Sequence, residues 1–337
     1  MCLNDVGIMS VSYSAPDTIV TNNEIEQKFG IDKGLIKELT MIDERRIAGD
    51  EIAFSDLAVR AGKEAISAAD ISPSEIGVLV VATSSDDYYN PKSGAFLQRE
   101  LGTDAFVLNI DQSCAGGIYA ISTAAHLMLS KNKGKALVIA GDCDMRKVSG
   151  DSPFFIGSGG DACGAMVLGK LKKGKKGILS ESFGTAGEYY ENFGLYNYGS
   201  RVLESSKDGP TSYEQSADGN VILFKVLRWF KKSLKECLDA AGMLKEDVDF
   251  YSPHPAAVSQ IKLQMKSIKV DIDKTNLVSS KFGHSGSGTH FIILNESINS
   301  KRLAAGDSVF MFGNGSGFLW GGMLINWCSL SDFERGA

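Results

Sequence analysis

Two stretches of this chain, 172 residues apart, repeat the same order of local signals, and this duplication constrains the fold more than any other feature. Residues 65–80 read AISAADISPSEIGVLV, and residues 237–252 read CLDAAGMLKEDVDFYS. Each stretch is a helix end with an Ala-Ala pair, then a turn with an acidic residue, then a strand. The repeat predicts two similar halves in one α/β molecule.

The same offset relates a second pair of segments, both typical of short buried strands. Residues 135–142 read KALVIAGD, and residues 307–314, which lie 172 positions later, read DSVFMFGN. The strand-like segments 163–168 and 321–325 come next and pair at a shorter offset. The competing interpretation is that any α/β protein contains some such pairs without a duplication.

The boundary between the halves has no clean linker. No stretch rich in Pro, Gly or Ser divides the chain, but residues 174–216 are polar and irregular. We therefore predict an N-terminal half over residues 1–174, with a candidate nucleophile, and a C-terminal half over residues 175–337.

Charge and cysteine usage argue against several classes of protein. The net charge of −6 gives no broad footprint for nucleic acid, and apolar stretches such as 78–82 are too short to span a bilayer. The six cysteines lack CxxC spacing, so we expect neither a bound metal nor a disulfide framework. With no signal peptide recognised in residues 1–16, this composition predicts a reducing, cytoplasmic location.

Cys114 lies at the junction of a predicted strand, 107–110, and a predicted helix of small residues, 115–125. A thiol there meets the positive end of the helix dipole and unsatisfied N–H groups, a setting that lowers a cysteine pKa to roughly 3.5–7.5. Because the thiolate attacks thioesters, Cys114 is the candidate nucleophile. Without further context, a cysteine at such a turn is more often core packing.

His254 follows a predicted strand in the segment YSPHPA, residues 251–256. The two flanking prolines leave the backbone few conformations, so the imidazole ring is aimed in a fixed direction. The carboxyl end of a strand is also where open α/β sheets bind ligands. His254 is therefore a candidate site residue.

A third motif, KFGHSGSGT at residues 281–289, contains His284 and follows the strand-like segment 276–279. Gly286 of this motif lies 172 positions after Cys114. A pseudo-twofold axis between the halves would bring the two turns together. We therefore predict that Cys114, His254 and His284 share one site. The glycine-rich loop GNGSG at 313–317 leaves backbone N–H groups free, but alone it indicates only a turn.

These motifs belong to a longer series of matching stretches. In chain order they are ERRIA at 44–48, IGVLVVATS at 76–84, SCAGG at 113–117, GDACGAMVL at 160–168, FKV at 224–226, PH at 253–254, FGHS at 282–285 and GSGFLWG at 315–321. Along nearly its whole length the chain resembles the ketoacyl-acyl-carrier-protein synthase III family of condensing enzymes. The resemblance implies a thiolase-like α/β fold with five αβαβα layers, and a homodimer.

The resemblance also implies roles for individual residues. Cys114 would accept an acyl group from coenzyme A or acyl carrier protein, which are substrates, so no permanently bound cofactor is expected. A malonyl-type thioester would then decarboxylate, and its enolate would attack the acyl group. The backbone N–H groups of Cys114 and Ser316 would form the oxyanion hole. His254 would hydrogen-bond the carbonyl of the malonyl-type thioester.

His284 stands where this family usually has asparagine. An imidazole N–H can donate the same hydrogen bond, and related elongating synthases use a Cys-His-His set, so we expect His284 to be catalytic. The alternative is that His284 only fills the loop, which would favour plain acyl transfer over condensation.

Other departures concern coenzyme A and the neighbouring subunit. Leu35 falls where the family has a tryptophan that stacks on the adenine, and Arg146 is the nearest candidate for the arginine on the other side. The sequence therefore predicts weakened binding of coenzyme A. Asn90 and Pro91 replace a phenylalanine–proline pair that reaches across the dimer into the partner's acyl pocket.

The surface that meets the carrier protein also differs. The family arginine that contacts acyl carrier protein aligns with Ser259. Lys262, Lys266 and Lys269 follow on the next helix and are candidates to replace that arginine.

Three functions fit these residues. The first is a specialised condensing enzyme of fatty-acid or polyketide metabolism that uses carrier-bound acyl chains. The second is an acyltransferase that passes the acyl group from Cys114 to an alcohol, amine or thiol. The third is a binding subunit of a heterodimer, against which the intact Cys114 motif argues.

Overall fold

A computed structural model describes residues 2–130, 134–147, 152–195, 215–217 and 219–334. The strands are β1 (Val6–Ser14), β2 (Ile19–Thr21), β3 (Glu44–Arg46), β4 (Ile76–Ala82), β5 (Phe106–Ile110), β6 (Lys135–Asp142), β7 (Ala162–Lys170), β8 (Ile178–Thr185), β9 (Phe193–Leu195), β10 (Gln215–Ala217), β11 (Phe250–Ser252), β12 (Ser308–Gly315) and β13 (Leu319–Asn326). The helices are α1 (Asn22–Phe29), α2 (Leu35–Thr40), α3 (Phe54–Ala68), α4 (Ser93–Leu101), α5 (Gly116–Ser130), α6 (Pro153–Ser158), α7 (Gly219–Ala241), α8 (Val258–Ser267), α9 (Ser279–Phe282) and α10 (Thr289–Asn299).

Two large sheets repeat one topology. The first has the order β1-β7-β6-β4-β5, and the second has the order β8-β13-β12-β11. In each sheet the first two pairings are antiparallel and the next is parallel. The first four strands of one sheet therefore correspond in order and direction to the four strands of the other. The exact boundary between the halves, at residue 174, stays a prediction.

Helices cover both faces of each sheet. The apolar helices α5 and α10 lie between the two sheets, and their side chains form one core with strand residues of both. Leu57, Ala58, Ala61 and Ala65 of α3 are buried against the outer face of the first sheet, together with Leu97 of α4. Helices α7 and α8 cover the outer face of the second sheet. The predicted αβαβα arrangement is confirmed.

One local prediction is wrong. Residues 276–279 do not form a strand, because the chain turns at Val278 and α9 begins at Ser279. The Ser279 hydroxyl donates to the carbonyl of Pro255 over 3.0 Å, which ties this turn to the loop after β11. Among the described residues the second sheet therefore has no counterpart of β5.

The carboxyl ends of three strands point to the same region. The turn after β5 leads into α5, the loop after β11 carries His254, and β12 ends in the glycine-rich loop. The parallel pairs β4–β5 and β11–β12 fix these ends on one edge of each sheet. No helix within the described part of the chain combines the length and apolarity needed to cross a bilayer.

Candidate active site

A strained turn presents the candidate nucleophile. After β5 the chain forms a 3-10 turn over Ser113–Ala115, and α5 begins at Gly116. Ser113 has a φ of 48°, a left-handed conformation that non-glycine residues rarely adopt. The carboxylate of Asp111 accepts the Ser113 N–H over 3.1 Å and holds the turn. Cys114 thus lies at the amino end of α5, as predicted.

The expected low pKa of Cys114 is wrong for this structure. Burial, and then the negative charge of Asp142, raise the pKa of the thiol to about 12. The Ser113 hydroxyl, 3.9 Å from the sulfur, acts in the opposite direction. Desolvation acts in this direction because it disfavours the charged thiolate. A thiol at this position must therefore lose its proton when it attacks a thioester.

The two helix starts meet, as the 172-residue offset predicts. A β-carbon on Gly117 would lie 2.3 Å from the carbonyl oxygen of Ser287, so only glycine allows this approach. The Ser287 hydroxyl donates to the carbonyl of Ala82 at the end of β4, over 2.9 Å. The turn that follows His284 is therefore packed directly against the first turn of α5.

His254 is held by contacts from two elements. Its backbone N–H donates to the Gln264 side chain over 3.1 Å, and the Gln264 amide donates back to its carbonyl over 2.9 Å. Its ring Nδ1 accepts the backbone N–H of Asn314, 3.4 Å away. Because Nδ1 accepts, the proton of the neutral ring is on Nε2. Burial, with the neighbouring His284 and His290, holds the pKa of His254 well below its usual value.

His284 is fixed by its backbone and its ring. Its N–H donates to the carbonyl of Ser158 over 2.8 Å, and its carbonyl accepts from Gly160 over 3.0 Å. Ring Nδ1 lies 3.0 Å from the hydroxyl of Thr289, whereas Nε2 is buried and has no partner among the described residues. Burial lowers the pKa of His284 to about 4, so the ring is neutral at pH 7.

One cavity of about 450 Å³ joins the three predicted residues, since Cys114, His254 and His284 all line it. The rings of the two histidines are 5.3 Å apart, centroid to centroid, and nearly perpendicular. The rest of the wall is largely apolar and includes Leu39, Phe154, Phe155, Val226, Leu263 and Phe318. The cavity thus combines a thiol and two neutral imidazoles with walls suited to an aliphatic chain.

The glycine-rich loop lies against the nucleophile turn. A β-carbon on Gly315 would be 3.2 Å from the backbone nitrogen of Cys114, and the Ser113 hydroxyl is 3.5 Å from that of Ser316. The loop that carries Ser316 therefore reaches Cys114. The assignment of the N–H groups of Cys114 and Ser316 as an oxyanion hole stays a prediction.

Leu35 and Arg146, which the sequence analysis placed near bound coenzyme A, do not line the cavity. Leu39 lines the cavity, whereas Leu35 lies half-buried at the start of α2 and does not. The Ser259 hydroxyl donates to the Leu39 carbonyl over 2.8 Å and joins α8 to α2 at the wall. Arg146 donates to the carbonyls of Gly49 and Ile52 and is not a lining residue, so it is occupied elsewhere.

The sequence interpretation missed two buried polar residues. Asn314 lines the cavity, and its side-chain oxygen is buried with no partner among the described residues. Asp142 accepts the Ser84 N–H over 2.8 Å and the Ser287 N–H over 3.2 Å, so it links both halves. Burial, followed by Asp144, holds the pKa of Asp142 well above its usual value. The duplication contained the signal, because these residues are 172 positions apart.

Comparisons with known proteins agree with this geometry. The sequence model of 3-oxoacyl-[acyl-carrier-protein (ACP)] synthase III matches residues 108–187, and the model of its C-terminal part matches residues 238–327. The nucleophile lies in the first match, and both candidate histidines lie in the second.

Curated relatives span nearly the whole chain. It is 31% identical over 328 residues to a beta-ketoacyl-[acyl-carrier-protein] synthase III of Syntrophomonas wolfei, which covers 96% of this chain and 97% of the relative. It is 29% identical over 324 residues to synthase III 1 of Bacillus anthracis, with 96% and 99% covered. The synthase III structure from Aquifex aeolicus superposes with a TM-score of 0.86 at 24% identity, covering 96% of this chain and all of that one.

Proposed function

Because the chain belongs to the beta-ketoacyl-acyl-carrier-protein synthase III family, we propose that it loads an acyl group on Cys114 and condenses it with a malonyl-type thioester. Members of this family are condensing transferases. The observation that carries the proposal is the single cavity shared by Cys114, His254 and His284. Two neutral imidazoles beside the thiol suit the stabilisation of an enolate, a step that plain acyl transfer does not need.

The first half-reaction is a thioester exchange. The Cys114 sulfur attacks the acyl carbonyl, and the N–H groups of Cys114 and Ser316 hold the oxyanion. The tetrahedral intermediate then expels the thiolate of the donor. The proton that the Cys114 thiol releases passes to the departing thiolate. One S–C bond forms, one breaks, and no net proton is consumed.

The second half-reaction makes the carbon–carbon bond. Ring N–H groups of His254 and His284 donate to the carbonyl of the malonyl-type thioester, so charge accumulates there as carbon dioxide leaves. The enolate carbon attacks the acyl carbonyl on Cys114 and yields a β-ketoacyl thioester. The released Cys114 thiolate takes a proton from water and returns to the thiol, so each turnover consumes one proton from solvent. Neutral donors serve this step because neither histidine has to release a proton.

Release of carbon dioxide separates this proposal from a non-condensing acyltransferase. Enzyme loaded with an acyl group should release one carbon dioxide from malonyl-carrier protein for each β-ketoacyl product. Transfer of the acyl group to an alcohol, amine or thiol, with no carbon dioxide from the malonyl donor, would contradict condensation. Inertness of the loaded enzyme toward both kinds of acceptor would favour a binding role.

We further propose an acyl carrier protein as the donor. Helix α8 contributes Ser259, Gln260 and Leu263 to the cavity wall. Lys262 and Lys266 of the same helix, and Lys269 just after it, are exposed. This lysine surface, Lys262–Lys266–Lys269, lies on and just after the helix that forms part of the cavity wall, and it can attract a carrier protein with an acidic face.

Reversing the charge of the lysine surface should weaken the use of carrier-bound donors. With all three lysines changed to glutamate, kcat/KM for acyl-carrier protein is expected to fall about tenfold or more at low salt, with less effect at high salt. Activity with an uncharged N-acetylcysteamine thioester should change less than twofold. The matched control reverses three exposed lysines beyond the far end of β7: Lys172, Lys173 and Lys176. Equal losses in both triple variants would contradict the docking proposal.

A second copy of the chain is the proposed partner at the β5 edge. β5 is the outermost strand of the first sheet, and its Phe106 is 44% exposed. Phe96 of α4 is 41% exposed, and Tyr89, next to Asn90 and Pro91, is 88% exposed. An apolar sheet edge of this kind is normally covered.

Sedimentation should therefore give twice the mass of one chain, and a Phe96→Asp variant should shift the equilibrium toward the monomer. A wild-type chain that sediments as a monomer at micromolar concentration would contradict a homodimer.

The proposed pathway is specialised fatty-acid or polyketide metabolism. The support is the cavity wall, which includes aliphatic Leu39 but neither Leu35 nor Arg146. A weak platform for adenine favours carrier-bound chains over free coenzyme A thioesters. A comparison of kcat/KM for the same acyl group on the two carriers tests this point.

A further inference from the structure

Thr289, the first residue of α10, lies at the centre of a small buried network behind His284. Its hydroxyl oxygen accepts the Ser285 N–H over 2.9 Å, lies 3.3 Å from the Ser285 hydroxyl, and lies 3.0 Å from His284 Nδ1. Thr289 is fully buried and Ser285 is 1% exposed, so water does not reach these groups freely. The hydroxyl groups of Ser285 and Thr289 and the Nδ1 atom of His284 must therefore find their hydrogen-bond partners among one another.

Two arrangements of the hydrogens are conceivable. In the first, the Ser285 hydroxyl donates to Thr289, and the Thr289 hydroxyl donates to His284 Nδ1. Every hydroxyl hydrogen then has an acceptor, and the His284 ring carries its proton on Nε2. In the second, Nδ1–H donates to Thr289, and Thr289 donates to Ser285. The Ser285 hydroxyl hydrogen then has no acceptor among the described residues.

In each arrangement one hydrogen has no partner among the described residues: the Nε2–H of His284 in the first, and the Ser285 hydroxyl hydrogen in the second. The first arrangement is favoured because His284 lines the cavity, where a bound carbonyl can accept its hydrogen, whereas Ser285 is not a lining residue. A donor there is the group needed by the carbonyl of a malonyl-type thioester. The second arrangement would present a lone pair to that carbonyl and repel it.

We propose that Thr289 is a positioning residue that sets the tautomer of His284, so that Nε2–H faces the cavity. This inference rests on the proposed condensing function. An asparagine at position 284 would need no such partner, because its amide always carries N–H groups. An imidazole is a donor at Nε2 only if Nδ1 accepts, and Thr289 supplies the hydrogen that Nδ1 accepts.

Thr289→Val keeps the shape of the side chain and removes the hydroxyl. Condensation should fall about 10–100-fold, the range known for loss of the partner that orients a metal-binding histidine. Acylation of Cys114 should fall less than threefold, because His284 is not needed for that step. Thr289→Ser should restore most of the condensation rate. The matched control is Thr275→Val, another fully buried threonine, whose hydroxyl has no partner among the described residues.

Nitrogen-15 NMR of the wild-type histidines tests the tautomer without any assay. The result expected is a protonated Nε2 and an unprotonated Nδ1 for His284 at pH 7, with a mixture of tautomers in Thr289→Val. A wild-type ring protonated at Nδ1, or full condensation by Thr289→Val, would overturn the proposal. If wild-type enzyme releases no carbon dioxide, the proposed function fails, whereas the NMR result still decides the role of Thr289.

Discussion

Replacing Cys114 with alanine is expected to abolish acyl uptake, with a loss on the order of 10⁴-fold or more. Cys114 is the one cysteine among the described residues that line the cavity, so the variant has no thiol there to carry the acyl group between the two half-reactions. The imidazoles of His254 and His284 remain, but they are placed as hydrogen-bond donors. Intact-protein mass after incubation with an acyl thioester gives the measurement.

The matched controls for this substitution are the other accessible thiols. Cys2 is exposed and Cys328 is half-buried, and neither lines the cavity. The Cys2→Ala and Cys328→Ala variants should be acylated to the same extent as the wild-type protein. A full acyl mass gain in the Cys114→Ala protein would show that another residue is the nucleophile.

The second large effect is expected for His284→Ala. Condensation should fall about 10²–10³-fold in kcat, equivalent to the loss of one oxyanion donor. Acylation of Cys114 should change little, because the enolate forms only in the second half-reaction. Separate measurement of the acylation rate, by mass, and of carbon dioxide release gives the comparison.

His284→Asn is the informative companion variant. The amide side chain can also donate from this position, so the variant should recover at least tenfold of the lost condensation rate. Equal carbon dioxide release by His284→Ala and the wild type would show that His284 only fills the loop. Equal loss of both half-reactions would indicate a folding defect, which circular dichroism and a thermal melt would reveal.

The sequence predicted the arrangement of the halves because the duplication is a long-range signal. Cys114 and Gly286 are 172 positions apart, and their turns do meet in the structure. The strands were recognisable from continuous apolar runs, as in β6 and β12, which are buried along their whole length. These predictions depend on backbone pattern and burial, which one sequence displays directly.

The electrostatics were not predictable in the same way. The position of Cys114 at a helix start suggested a thiolate, whereas burial and Asp142 raise its pKa to about 12. Asp142 is 28 residues away along the chain and reaches the site only through tertiary packing. The Thr289–Ser285 network likewise depends on hydrogen positions that neighbours decide. Contacts between buried polar groups that are distant in sequence depend on the tertiary fold, which local sequence patterns do not reveal.

The residue of α2 that lines the cavity was not predictable from the sequence either. Leu35 was expected there by position, and Leu39, one helical turn further along α2, lines the cavity instead. Leu35 and Leu39 are one turn apart and share a face of α2, so their different placement reflects position along the helix axis. Ile36 and Thr40 are buried, and the packing of α2 brings its C-terminal end, with Leu39, to the cavity wall.

The most direct test is intact-protein mass during one turnover. Enzyme mixed with acyl-carrier protein should gain the mass of the acyl group, located on Cys114 by peptide mapping. Addition of malonyl-carrier protein should then remove that mass and release one equivalent of carbon dioxide with the β-ketoacyl product. A gain on another residue, or removal of the acyl group without carbon dioxide, would contradict the account.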